Sequence, residues 1–310
     1  MVALEVRSIT KHFGTLKAVD RVSFAVDAGQ IYGFIGPNGA GKTTTMRIVA
    51  TLSLPDEGDV FVEGNSVLVE PRKVRERLGF MPDQFGAYAS TTVFEYLDFF
   101  ARAYGLRGKV RVRALREVMD FTSLEGLRDR LITALSKGMR QRLCLAKTML
   151  HDPAVLILDE PAAGLDPRAR VEFRELVKAL AEMGKAILVS SHILSELSEI
   201  CHGVAVIEAG CIQATGHVED IVRQLTPHAE IYLRTLAGLE EAQKALVVLP
   251  RVGEVRRDRD GLVFDFEGTP EDRAGLLASL VRSGLQPIEF STKVTDLEDV
   301  FLRLTQGKVQ

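Results

Sequence analysis

The stretch Ile31-Tyr32-Gly33-Phe34-Ile35-Gly36-Pro37-Asn38-Gly39-Ala40-Gly41-Lys42-Thr43-Thr44 decides how this chain is read. Its first five residues are an apolar run of strand length, entered through the turn Asp27-Ala28-Gly29. The last nine are glycine-rich, and residues 45–52 continue with the apolar content of a helix. A glycine-rich segment between a strand and a helix is the context in which backbone holds polyphosphate. Glycines let the chain curl so that successive N–H groups point inward. The helix that follows adds the positive end of its dipole. In such a loop the lysine, Lys42, reaches the β- and γ-phosphates, and the next hydroxyl, Thr43, holds Mg²⁺. The stretch predicts an ATP-binding loop made of Gly36, Pro37, Asn38, Gly39, Ala40, Gly41, Lys42, Thr43 and Thr44.

Hydrolysis requires more, namely a carboxylate for the metal and a group that positions water. Val155-Leu156-Ile157-Leu158 followed by Asp159-Glu160 offers both. A short, continuous apolar run is the signature of a buried parallel strand, and ligands of parallel sheets bind where such strands end. Asp159 then contacts Mg²⁺, directly or through water, and Glu160 orients or deprotonates the attacking water. The bland alternative is an ordinary acidic strand end. The phosphate loop on the same sheet edge favours the functional reading.

Bulk properties bound what else the chain can be. Its 310 residues exceed one ordinary domain and fall short of three. With 46% hydrophobic and 26% charged residues it can build a packed core. A net charge of −3 argues against bulk nucleic-acid binding. The three cysteines, Cys144, Cys201 and Cys211, are far apart, which excludes a Cys-x-x-Cys metal or redox pair and favours free thiols. The start of the chain lacks a signal peptide's basic and apolar regions, and no apolar run approaches the length of a membrane span. Any membrane role is expected to come through a partner.

Along the chain, residues 4–9 and 22–26 read as strands, and residues 94–150 as helical, with Phe94, Leu97 and Ala101 on one face. Residues 154–158 and 186–190 read as buried strands. Between them Asp166 is a helix N-cap, Pro167 a first helical residue and Gly184 a helix end. After a linker marked by Pro227 the order is strand 231–233, helix 239–249, strand 253–257, strand 262–266, helix 270–282 and strand 287–290. Asp260-Gly261 supplies a hairpin turn, and Thr269, Pro270 and Asp272 a helix start. That order is a β-α-β-β-α-β, ferredoxin-like arrangement. A last helix is expected over 296–304. The domain expectation is therefore 1–225, with a helical part over about 86–150, and an accessory α+β domain over 226–310.

The phosphate loop, Leu135-Ser136-Lys137-Gly138-Met139-Arg140-Gln141-Arg142, the strand ending in Asp159-Glu160, Gly164-Leu165-Asp166 and Ser190-Ser191-His192 fall in the order and spacing of an ATP-binding cassette. Over about residues 1–220 the chain resembles the ATPase subunit of an ABC transporter. Its tail, Thr295-Asp296-Leu297-Glu298-Asp299-Val300-Phe301, resembles that of type-2 ABC exporters related to drug-efflux ATPases. The resemblance implies an α/β P-loop NTPase cassette with an N-terminal antiparallel β portion and a helical insertion.

It also implies roles. Phe13 stands where the family stacks adenine on an aromatic ring, although a core Phe is the common alternative. Ser136 and Gly138 belong to the segment that meets the ATP of the other subunit, and Lys137 and Met139 depart from the family's usual residues there. Lys137 either adds charge near phosphate or is simply solvated. His192 is the γ-phosphate contact, counted with Glu160 and Lys42 as catalytic, and Asp166 lies on the inter-subunit loop. In Gly79-Phe80-Met81-Pro82-Asp83-Gln84 the family's Mg²⁺-contacting glutamine is replaced by Asp83, with Gln84 one residue late as the alternate.

The partners implied are a second copy, or a related cassette, head to tail, and a separate transmembrane permease. The place implied is the cytoplasmic face of the membrane, with no nucleic acid bound. Two rivals are a soluble cassette acting on ribosomes or DNA, which usually carries two cassettes or a long coiled coil, and a regulatory module that holds ATP without turnover. One phosphate loop and the full set Asp159, Glu160 and His192 disfavour them.

Overall fold

The computed structural model describes residues 1–83, 86, 90–191, 197, 199–217, 229–236, 238–258 and 260–292. They fall into two compact units, one within Met1–Val218 and one within Glu219–Val300. The first runs β1 (Val2–Phe13), β2 (Leu16–Asp27), β3 (Ile31–Ile35), α1 (Lys42–Val49), β4 (Glu57–Val62), β5 (Asn65–Ser66), α2 (Pro71–Arg77), β6 (Leu78–Met81), α3 (Val93–Ala103), α4 (Gly108–Phe121), α5 (Lys137–Met149), β7 (Val155–Leu158), α6 (Pro167–Glu182), β8 (Ala186–Ser191), β9 (Gly203–Glu208) and β10 (Cys211–Gly216).

Two sheets share this unit. The antiparallel one has the order β2-β1-β4-β5. Leu4, Val6 and Ile9 of β1 and Val22, Phe24 and Val26 of β2 turn into a common core. Burying each such side chain contributes roughly 1.5–3 kcal/mol. β1 and β2 are longer than their apolar alternation predicts, because polar pairing extends them. Lys11 Nζ bonds Asp56 at 2.8 Å and the His12 N–H donates to the same carboxylate at 2.6 Å.

The second sheet has the order β10-β9-β3-β8-β7-β6, parallel except for β10. Its central strands are apolar throughout, as parallel strands covered on both faces must be. Register aligns their carboxyl ends: Ile35 pairs with Ser191, Leu158 with Val189 and Met81 with Leu158. Gly36, Asp83 and Asp159 therefore emerge from one edge.

α3, α4 and α5 form a satellite around their own apolar core, which includes Val93, Leu97, Leu115, Met119 and Leu143. Thr92 and Glu95 open α3 with reciprocal capping bonds. Among the described residues no helix is long and apolar enough to cross a membrane.

The second unit runs β11 (Ala229–Thr235), α7 (Leu239–Val247), β12 (Val252–Asp258), β13 (Gly261–Phe266), α8 (Pro270–Arg282) and β14 (Pro287–Thr292), in the β-α-β-β-α-β order read from the sequence. Its sheet, ordered β12-β13-β11-β14, is antiparallel throughout. Ile231, Leu233, Phe264 and Leu280 anchor the core. Asp258 pairs with Gly261 across the hairpin, and Thr269 and Asp272 cap α8 reciprocally. The helix expected over 296–304 and the tail segment 295–301 lie outside the described residues.

Candidate active site

The loop leaving β3 can only be glycine at two points. A Cβ added at Gly36 would lie 2.3 Å from the Ile207 carbonyl oxygen. At Gly41, where φ is +103°, it would lie 2.5 Å from the Ala18 oxygen. Gly41 caps α1 without a side-chain hydrogen bond, and the first turn carries no acidic residue. The opening N–H groups of α1 are thus left for an anion.

Lys42 is held beneath this loop, only 6% exposed. Its ammonium donates to the Gly36 carbonyl at 2.6 Å and the Pro37 carbonyl at 3.2 Å, and lies 3.5 Å from Glu160 Oε1. Burial lowers the Lys42 pKa, and the Glu160 and Asp159 carboxylates work against that shift. The loop is therefore preset around a largely desolvated cation that faces two backbone carbonyls and the Glu160 carboxylate.

Asp159 leaves the end of β7 almost fully buried, at 2% exposed. Its Oδ1 accepts from Ser190 Oγ at 2.8 Å and from Thr43 Oγ1 at 3.4 Å. Burial raises its pKa. The bonds from Ser190 and Thr43 oppose the rise, and the charges of Glu160 and Asp83 add to it. Glu160 follows with a left-handed backbone, φ +48°, and its N–H donates to Ser190 Oγ at 2.9 Å. A non-glycine residue held in this region at a ligand site is stored strain of the kind found in working sites.

Phe13, Lys42, Thr43, Asp83 and Glu160 line one open cleft of about 490 Å³ together with the loop residues Pro37 to Thr44. The Phe13 ring is 54% exposed, so the core alternative does not describe it. Ser136, Gly138 and Asp166 are not among the residues lining this cleft. Ser136 caps α5 by accepting from the Met139 N–H, and Asp166 caps α6 by accepting from the Ala169 N–H. Both side chains face outward. Lys137 turns back along its own chain: a Cβ added at Gly164 would lie 2.4 Å from its Nζ. His192 and Gln84 lie outside the described residues.

Thr43, Asp159 and Asp83 form an oxygen-only donor set, the kind that suits Mg²⁺, which takes few protein ligands and completes its shell with water and phosphate. A carboxylate whose ionisation is disfavoured by burial first, and then by the charges of Glu160 and Asp83, fits a cation at that point. Among the described residues no cluster of three or more His, Cys, Asp or Glu forms a self-sufficient metal cage.

Residues 19–163 match the sequence profile of the ABC transporter family. The chain is 34% identical over 319 residues to the Nod factor export ATP-binding protein I of Burkholderia lata, covering 99% of this chain and 98% of that one. The chain belongs to the ABC transporter ATP-binding proteins. A solved ATP-binding subunit of an ABC transporter superposes on it with a TM-score of 0.65 at 31% identity, covering 72% of this chain and 92% of that one. A bacterial ABC transporter cassette solved as a dimer superposes with a TM-score of 0.63 at 22% identity over 69% of this chain and 98% of its own, which shows the fold alone. As an ABC transporter ATPase the chain binds ATP and hydrolyses it.

Within the motif Ser190-Ser191-His192 the sequence assigns Ser190 no role of its own, and it makes two of the bonds at this site. The signal available was a polar pair closing an otherwise apolar strand, which in a buried parallel sheet demands partners.

Proposed function

We propose that this ATPase works as a head-to-tail dimer, with a second copy of itself or a related cassette, and drives a separate membrane-spanning permease from the cytoplasmic face. The observation that carries the reading is a division of parts. Lys42, Thr43, Asp83, Asp159 and Glu160 converge on one sheet edge, while Ser136 and Asp166 sit exposed and away from that cleft. Groups that address phosphate from outside the cleft serve a nucleotide held by another chain.

In this scheme Phe13 stacks the adenine, the loop 36–44 cradles the phosphates, and Lys42 moves its ammonium from loop carbonyls to phosphate oxygens. Thr43, Asp159 and Asp83 would hold Mg²⁺, which when bound would supply positive charge against the charge developing on the phosphates. Glu160 orients the attacking water and accepts its proton, and His192 contacts the γ-phosphate. Ser136 and Gly138 of the partner close the site from the other side, next to its Asp166 loop.

Coupling to the permease is supported by a second groove beside the cleft. It is lined by Arg47, Leu52, Phe80, Pro82, Lys147 and Asp83. Asp83 borders both, so the metal side of the nucleotide site reaches the wall of the groove. Export is the direction we assign, in line with the names of full-length relatives. The unit within Glu219–Val300 supports the dimer or its regulation, and its deletion is expected to weaken self-association or coupling.

Ser136→Arg tests the dimer. It should abolish hydrolysis while leaving ATP affinity intact, because Ser136 is absent from the chain's own cleft. Parental turnover, or a loss of affinity equal to the loss of turnover, would refute the scheme. Co-purification from detergent-solubilised membranes should bring down a polytopic membrane protein, and recovery of the cassette alone would count against the permease.

A further inference from the structure

We propose that Ser190 is a positioning residue for hydrolysis, its hydroxyl fixing Asp159 and Glu160 relative to each other at the end of β7. The side chain is fully buried, at 0% exposed. It sits on β8, which lies between the phosphate-loop strand β3 and the carboxylate strand β7. Its Cα is in register with Phe34 of β3.

The direction of the hydrogen bonds follows from chemistry. The Glu160 N–H can only donate, so at 2.9 Å Ser190 Oγ is the acceptor. The single hydroxyl proton is then free for the Asp159 carboxylate, 2.8 Å away. One hydroxyl thus holds the side chain of Asp159 and the backbone of Glu160 together. Thr43 meets the same Asp159 oxygen, and Lys42 meets the Glu160 carboxylate, so the loop and both carboxylates close into one network. Among the described residues nothing bonds the second Asp159 oxygen.

Glu160 needs such a fixture. Its left-handed backbone is unfavourable for a residue with a side chain, and persists only where the surroundings impose it. Besides Ser190, the turn is held through the Glu160 carbonyl, which accepts from the Ala163 N–H at 3.1 Å. With Ser190 truncated, the Glu160 N–H and an Asp159 oxygen each lose a buried partner, and the turn relaxes away from where water must be held. Among the described residues Ser190 makes no direct hydrogen bond to the loop 36–44 and reaches Thr43 only through Asp159, so its truncation should act on turnover more than on ATP affinity.

The inference rests on the roles given to Asp159 and Glu160 above. The test compares the parent chain with Ser190→Ala, Ser190→Cys and Glu160→Gln. It reads turnover under saturating MgATP, affinity for a fluorescent ATP analogue without added metal, and mass in the presence of ATP. Loss of an orienting partner of this kind lowers activity by about 10- to 100-fold, and Ser190→Ala should fall in that range with affinity changed less than about twofold. Ser190→Cys, nearly the same size and with a weak S–H donor, should lie between Ala and the parent. Ser190→Ala should also accumulate with ATP as the same species as Glu160→Gln. Turnover of Ser190→Ala within about threefold of the parent, beside an inactive Glu160→Gln, overturns the inference alone. So does a loss of affinity that matches the loss of turnover in both Ser190 variants, which is the mark of a merely structural role. If Glu160→Gln itself turns over at the parental rate, the underlying assignment falls, and the inference with it.

Discussion

Gly36→Ala is the sharpest steric probe of the phosphate loop. The new methyl group would lie 2.3 Å from the Ile207 carbonyl oxygen, 2.9 Å from Ile207 Cγ2 and 3.1 Å from the Ala40 Cβ. Carbon and carbonyl oxygen rest at about 3.3–3.6 Å, so the loop must move by roughly 1 Å. Ile207 is fully buried in β9 and cannot retreat, so the displacement falls on the loop. The Gly36 carbonyl also receives the Lys42 ammonium at 2.6 Å, and that lysine loses its anchor when the carbonyl shifts. A displacement of this size costs about 100-fold in turnover. Overpacking should cost a further ~1–3 kcal/mol of stability. The assay is steady-state ATP hydrolysis with parallel ATP binding and thermal unfolding. Gly126→Ala serves as control, because a Cβ there meets nothing within 4 Å. Parental turnover and affinity in Gly36→Ala, with the fold intact, would refute the claim that this loop's backbone path makes the site.

Other perturbations separate the parts. Phe13→Ala should weaken ATP binding by roughly 1–3 kcal/mol, the worth of one base–aromatic stack, whereas Phe13→Tyr should bind like the parent; calorimetric titration decides, and equal affinities of Phe13→Ala and the parent would exclude the stacking role. Asp159→Asn should raise the thermal midpoint of the nucleotide-free chain near neutral pH, and the gain should shrink as pH falls. The sign follows from the raised folded-state pKa of Asp159: its contribution is present below the unfolded carboxylate pKa and is lost as pH rises through the folded one. A pH-independent difference between the two melting curves would contradict this. Thr269→Ala removes the reciprocal cap of α8 and should cost about 1 kcal/mol in denaturant unfolding of the second unit, with ATP affinity unchanged.

What could be read from sequence was whatever chemistry writes in a compact run. The loop 36–44 is legible because its glycines answer to a local demand, visible in the contacts a Cβ would make. Asp159 and Glu160 are legible because a wholly apolar strand ends on them. The second unit was legible through its turn and cap residues, Asp260-Gly261 and Thr269-Asp272. The lengths of β1 and β2 were not, because Lys11 and His12 prolong pairing through a partner, Asp56, more than 40 residues away. The role of Ser190, a residue read only as part of Ser190-Ser191-His192, was hidden for a related reason. Its meaning depends on strand order, which puts β8 beside both β3 and β7, and no local pattern declares that neighbourhood. Asp83 lies between the two cases. Sequence placed it by its proline, and the fold sets it on the cleft wall with Thr43 and Glu160.

In the proposed dimer one chain supplies half of each catalytic site. Light scattering of Glu160→Gln, with and without MgATP, decides whether the two halves come together. The chain's mass is 34.1 kDa. MgATP should double the observed mass while hydrolysis stays absent, because the nucleotide binds, the two cassettes close, and nothing reopens them. A variant that binds MgATP, does not hydrolyse it and remains at the mass of one chain would contradict the composite site.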